Sequence, residues 1–183
     1  MYSVILYINM LSNIQVEELC RKMSIPLHGI YFKSQLKDLG KIEYGKAYII
    51  NLESEVGEDG ERNIGSHFTC FQANKLPNGK IQSLYFDSYG TKYPDEVEDF
   101  IGIPIGYTSS DLQSLVAETC GYWVCAYLYF INTFPQRTGD MYVDADTFCN
   151  LFNDLNHSCD WETNEIILKQ FFRSPPKQTL TKV

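Results

Sequence analysis

The sequence predicts a single domain over residues 1–183 that combines β-strands with α-helices. Two strand-like segments flank a turn signal near the middle of the chain, an uninterrupted apolar run follows Cys120, and helical patterns lie on both sides. A chain of this length buries about two-thirds of its unfolded surface without disulfide bonds. Its 44% hydrophobic and 21% charged residues are typical of a globular protein.

Composition and charge narrow the classes of function. The formal net charge of −8 argues against a general nucleic-acid binder, because phosphate contacts need a basic surface. The apolar start MYSVILYINM is too short to span a bilayer and lacks a basic leader, so we predict a strand or a buried edge of the domain there, and no membrane association. The six cysteines show no CxxC spacing, which predicts reduced thiols in an intracellular protein.

The first half of the chain predicts one helix and one strand. Ser12 and Gln15 have the spacing of a capping box, and apolar residues recur at helical positions behind them. We therefore predict a helix over about 12–23 that ends before Pro26. The stretch YGKAYIINL, residues 44–52, is rich in tyrosine and isoleucine and predicts a strand.

A β-hairpin is predicted over 66–73 and 80–87, on either side of the turn signal Pro-Asn-Gly. Its register has two alternatives. A tight turn at Asn78-Gly79 places Asp87 opposite Cys70, whereas a loop over 74–79 places Asp87 beside His67.

The C-terminal half predicts mostly helix. Pro94 and the acidic residues after it predict a short helix that ends before Gly102. Two further helices are predicted over roughly 145–155 and 162–173. Their candidate N-caps are Asp144 or Asp146 for the first and Asp160 or Thr163 for the second.

Cys120 stands at the start of a run, up to Ile131, that contains no charged residue. This run predicts a buried helix with Cys120 at its N-terminus, where the helix dipole and backbone N–H groups favour an anionic thiolate. Gly121 would leave space for a substrate carbonyl. The alternative is that Cys120 is a small core residue, as buried cysteines usually are.

A nucleophilic cysteine needs a base, and the chain has three histidines. His28 and His157 lie in segments typical of loops or helix ends, whereas His67 stands at the start of a predicted strand. Asp87 ends the paired strand and is the candidate to orient His67. Gln113, seven positions before Cys120, is a candidate donor to an oxyanion, with the Cys120 backbone N–H as the second donor.

A zinc site was weighed against this interpretation, because His67 and Cys70 have HxxC spacing and His157 lies near Cys159. Strand alternation puts His67 and Cys70 on opposite faces, and the tight ligand pairs typical of structural zinc are missing from the sequence. We therefore expect neither a metal nor a cofactor.

The motifs GSHF, LYFDSYG, Gln113 and CGYWVCAYL, in this order, resemble the adenovirus-type maturation proteases, the adenain family, with ubiquitin-like-protein proteases as distant kin. The resemblance implies an α+β fold with a mixed central β-sheet flanked by helices. It also implies roles for four residues: His67 as base, Asp87 as its orienting acid, Gln113 as oxyanion donor and Cys120 as nucleophile.

The implied function is cleavage of viral capsid or virion precursor proteins after Gly-Gly or Gly-Ala sites, by a monomer in the virion and infected cell. Two alternatives remain, a deubiquitinase or deSUMOylase and an inactive virion interaction protein. The chain departs from the family at Phe68, often tryptophan, and has no cysteine between Cys70 and Cys120 to tether an activating peptide. Trp123, Phe68 and Tyr89 are the expected aromatic walls of the site.

Overall fold

The computed structural model describes residues 10–53 and 67–173 of the chain. Within this part the chain forms one five-stranded sheet, five α-helices and one 3₁₀ helix. The strands are β1 (Leu27–Phe32), β2 (Ala47–Asn51), β3 (Phe68–Lys75), β4 (Ile81–Phe86) and β5 (Gly106–Tyr107). The α-helices are α1 (Asn13–Lys22), α2 (Asp95–Ile101), α3 (Cys120–Thr133), α4 (Met141–Cys149) and α5 (Trp161–Arg173), and the 3₁₀ helix is Lys33–Asp38. The strand predicted at the N-terminus lies outside the described residues.

The sheet is mixed, with the strands in the order β1-β2-β3-β4-β5. The outer pairs β1–β2 and β4–β5 are parallel, whereas β2–β3 and β3–β4 are antiparallel. The mixed sheet flanked by helices confirms the coarse α+β class predicted from the sequence.

Both faces of the sheet are buried. Strand alternation sends Ala47 and Ile49 of β2 to one face and Tyr48 and Ile50 to the other. The first face packs against α1, α3, α4 and α5, and the second against α2 and the 3₁₀ helix. Helix α3 is buried on almost every side, as its uncharged sequence predicts.

The elements with strong local signals form as predicted. Helix α1 begins after Ser12, whose side chain accepts from the Gln15 N–H while the Gln15 side chain accepts from the Ser12 N–H, a complete capping box. Helix α2 begins after Pro94 and ends at Gly102, whose φ of 61° is left-handed and favours glycine. Asp160 accepts from the Thr163 N–H at the start of α5.

Two predictions of local structure are wrong. His28 lies in strand β1, not in a loop, because this segment pairs with β2 through the backbone although Pro26 and Gly29 stand on either side of His28. Helix α4 begins at Met141 and is capped by Asp140, not by Asp144 or Asp146. Asp144 is buried and accepts hydrogen bonds from backbone N–H groups of the preceding turn. These bonds place Asp144 inside the helix, so the helix begins earlier in the chain than the apolar pattern indicates.

A helix needs about 20 consecutive apolar residues to cross the hydrocarbon core of a bilayer. In residues 10–53 and 67–173, no helix combines the length and apolar character needed to cross a membrane.

Candidate active site

The β3–β4 hairpin brings His67 and Asp87 to the same end of the sheet. Cys70 pairs with Phe86, so the register is neither of the two predicted alternatives. If this register continues by one residue, Asp87 lies opposite Thr69. His67 lies two residues from Thr69 on the same face, as a diagonal neighbour of Asp87. The His67 Nε2 and Asp87 Oδ1 atoms are 2.8 Å apart.

The Asp87 carboxylate is buried, with 1% of the residue exposed, and it accepts hydrogen bonds from several protein groups. Besides the His67 ring, the backbone N–H of Tyr89 donates to Oδ1 over 2.9 Å, and the Thr91 hydroxyl donates to Oδ2. These bonds hold a negative charge against one nitrogen of His67, which sets the orientation of the imidazole.

Cys120 is the first residue of α3, as predicted, and its side chain meets His67. The Asp87 carboxylate engages Nε2, and the Cys120 side chain interacts with the imidazole. Burial by itself lowers the pKa of His67, but hydrogen bonds with Asp87 and Cys120, and their charges, raise it from 6.5 to about 9. With a pKa of about 9, His67 is protonated at neutral pH and can donate a hydrogen bond from each ring nitrogen.

Gln113 is buried against the turn that follows β4. Its Oε1 atom accepts from the Ser88 hydroxyl over 2.8 Å, which orients the amide. Its Nε2 atom donates to the Tyr89 hydroxyl over 3.3 Å and to the Ala117 carbonyl. The amide has two N–H groups, and each already has an acceptor. Gln113 therefore lies near the site, but both of its N–H donors are engaged.

The turn Asp87–Gly90 connects these groups, and sequence reasoning gave no role to Ser88. The Gly90 N–H donates to the Asp87 carbonyl over 2.9 Å. Gly90 has a φ of +68°, and a Cβ there would lie 2.6 Å from the Ser109 carbonyl oxygen, so the turn requires glycine. The position of Ser88 directly after Asp87 was the signal available in the sequence.

A second contact that sequence reasoning missed supports the start of α3. The Thr119 hydroxyl donates to Glu165 Oε1 of α5 over 2.7 Å, in a buried position. The two residues are 46 positions apart, and no local pattern relates them.

The structure corrects three other expectations. A Cβ on Gly121 would meet Val16 of α1 and Leu11 just before that helix at 3.1–3.3 Å, so this glycine allows both to pack on α3 and does not line a substrate path. Phe68 and Trp123 are 1% and 0% exposed and lie in the core, so they are not walls of the site. Among the expected aromatic walls, Tyr89 does contact it, with its ring stacked on His67 at a centroid distance of 4.5 Å.

The described segments, 10–53 and 67–173, contain no group of three or more side chains arranged to bind a metal ion. His67 bonds Asp87 and interacts with Cys120, and His157 lies against Asp154. The residue types brought together at the end of the sheet, histidine, carboxylate and cysteine, are those that carry acid–base and nucleophilic chemistry.

Comparisons with known proteins add little to this geometry. No family model and no curated protein matches the chain. Among solved structures, the chain is similar to the central domain of the uncharacterized Lpg1148 protein from Legionella pneumophila, with 14% sequence identity and a TM-score of 0.43. The match covers 91% of this chain and 99% of that one, and the similarity is too low to support an argument.

Proposed function

We propose that the chain is a cysteine endopeptidase in which Cys120 is the nucleophile, His67 the general base and acid, and Asp87 the group that orients His67. The observation that carries the proposal is the position of the His67 imidazole, which bonds the Asp87 carboxylate through Nε2 and interacts with the Cys120 side chain. A catalytic triad requires a nucleophile next to a base, and an acid on the other side of that base to orient it.

The chemistry follows from these contacts. The Cys120 thiolate attacks the peptide carbonyl carbon, a C–S bond forms, and the carbonyl oxygen becomes negative. The C–N bond then breaks as the His67 imidazolium gives its proton to the leaving amine, which leaves a thioester on Cys120. Water attacks the thioester while His67 takes a proton from it, the C–S bond breaks, and a carboxylate product departs.

Small residues before the cut are the proposed specificity. Cys120 and Gln113 are each only 2% exposed, so access to the sulfur is narrow. An extended chain with glycine next to the cut has no side chain to exclude from such an opening. The motif resemblance points the same way, towards Gly-Gly or Gly-Ala sites in viral structural precursor proteins, as substrates of a protease that acts during assembly.

The test is cleavage of an extended peptide that carries a Gly-Gly site, by wild type, Cys120→Ala and Cys159→Ala. Cys159 is exposed and lies outside the site, so its variant is the matched control. We expect wild type and Cys159→Ala to cleave at equal rates and Cys120→Ala to be inactive. Equal cleavage by wild type and Cys120→Ala would refute the proposal.

Alkylation tests the nucleophile without a substrate. In the Cys159→Ala background, iodoacetamide at pH 7 is expected to modify Cys120 faster than Cys125, which is fully buried and whose pKa is raised by its hydrogen bond with Cys20 and by burial. Modification of Cys120 no faster than Cys125 would contradict an activated thiol. A ubiquitin probe with a C-terminal vinyl sulfone completes the set, because its rapid addition without peptide cleavage would favour a deubiquitinase instead.

A further inference from the structure

The Tyr89 side chain lies where two parts of the site meet. Its ring is stacked on the His67 imidazole, with the planes 20° apart and the centroids 4.5 Å apart. Its backbone N–H donates to Asp87, the same carboxylate that holds His67. Ring and backbone therefore keep the imidazole in the orientation in which Nε2 bonds Asp87 and the ring interacts with Cys120.

The hydroxyl of Tyr89 accepts a hydrogen bond from Gln113 Nε2 over 3.3 Å. The second N–H of Gln113 donates to the Ala117 carbonyl, and Ser88 fixes the amide oxygen. With its amide held on both sides, Gln113 cannot donate directly to a substrate oxygen without giving up one of these bonds. An acceptor bond on the hydroxyl oxygen, in contrast, leaves the hydroxyl proton able to donate.

The Tyr89 side chain spans the site, because its ring lies on the His67 imidazole and its hydroxyl bonds the Gln113 amide. Burial raises the pKa of Tyr89 most, and the negative charges of Cys120 and Asp87 raise it further. The group is therefore protonated at neutral pH and acts as a hydrogen-bond donor. A donor that itself accepts a bond is polarised by that bond, so a chain from Gln113 through Tyr89 strengthens the final link.

We propose that Tyr89 is the side-chain donor to the oxyanion, and that Gln113 acts through it as a positioning residue. This inference rests on the proposed cysteine protease activity and changes the role that the motif resemblance gives to Gln113. As the carbonyl oxygen becomes negative, the Tyr89 O–H donates to it and no proton is transferred. The bond is worth most in the transition state, so its loss lowers kcat more than it changes KM.

The experiment is a double-mutant cycle on peptide cleavage with Tyr89→Phe, Gln113→Leu and the double variant. The control is Tyr93→Phe, which removes a tyrosine hydroxyl outside the site. We expect Tyr89→Phe to lower kcat by about 10²-fold to 10³-fold with KM within about twofold of wild type. We expect the double variant to be no slower than the slower single variant, because both changes break one chain of bonds.

The outcomes separate this inference from the proposed function. Cleavage by wild type but not Cys120→Ala, together with Tyr89→Phe at the wild-type rate, would refute the role of Tyr89 and leave the protease intact. Multiplicative losses in the double variant would show that Gln113 donates independently, which also overturns the inference. Absence of any difference between wild type and Cys120→Ala would refute the protease itself.

Discussion

Substitution of Asp87 by asparagine isolates the charge that holds His67. Asparagine is nearly isosteric, and its Oδ1 atom can still accept from the Tyr89 N–H and from His67 Nε2. The change therefore keeps the geometry but removes the negative charge. Burial lowers the pKa of His67, and without the Asp87 charge less remains to raise it. We therefore expect that pKa to fall from about 9 to near or below 6.5.

The size of the effect follows from linkage between protonation and folding. A pKa of about 9 in the folded chain, compared with 6.5 for an unperturbed histidine, corresponds to about 3 kcal/mol. Because the folded-state pKa of His67 is the higher one, this stabilisation is complete below pH 6.5 and is lost as the pH rises through about 9. In Asp87→Asn we expect this loss to disappear.

The assay is urea unfolding of both chains at pH values from 6 to 9.5, with reductant, followed by tryptophan fluorescence. Burial raises the pKa of the Cys70 and Cys149 thiols, so both chains also lose stability as these thiols ionise in the unfolded state at high pH. Burial is the main cause in both chains and Asp87 contributes less to the pKa of Cys70, so this contribution largely cancels in the difference. We expect the difference in unfolding free energy between wild type and Asp87→Asn to shrink by about 3 kcal/mol between pH 6 and 9.5.

His67→Gln is the matched control and should remove the same pH dependence. It also identifies the His67 ring signal in an NMR titration, since the chain has three histidines. A constant free-energy difference between wild type and Asp87→Asn over this pH range would refute the reasoning. So would a wild-type His67 ring that titrates near 6.5.

Two further substitutions test the framework around the site. Ser88→Ala removes the donor that orients the Gln113 amide, and we expect kcat to fall about tenfold with KM unchanged, whereas Ser34→Ala, at an exposed position, should match wild type. An unchanged kcat in Ser88→Ala would show that the amide is held without the hydroxyl. Gly121→Ala forces a Cβ against α1 and should lower the free energy of unfolding by about 1–3 kcal/mol, measured by urea denaturation. Gly40→Ala, where a Cβ has open space, is the control, and equal stability of the two variants would contradict the packing assigned to Gly121.

Local signals predicted the elements whose stability is set within a few residues. The capping box at Ser12 and Gln15 and the left-handed end of α2 at Gly102 form as expected. Strand β1 was missed because its residues are half-buried and polar in part, and because its hydrogen bonds come from β2. The start of α4 was missed because Asp144 is drawn inward by contacts with the turn before it.

For the candidate site, the sequence indicated the residue types and the structure supplied their relations. Four residues named from motifs, His67, Asp87, Gln113 and Cys120, are linked through side-chain contacts that also involve Tyr89. Motif spacing carries no information about hairpin register or about the partners of an amide. The engagement of Gln113 was therefore not predictable.

The sequence by itself determined that a cysteine begins an apolar helix and that a hairpin precedes it, because capping, turn chemistry and hydrophobic pattern act over short distances along the chain. Tertiary structure decided the register that makes His67 a diagonal neighbour of Asp87, and the placement of the Tyr89 ring and hydroxyl. These relations depend on packing between segments that are distant in sequence, where differences of one residue in register or one rotamer change which atoms meet.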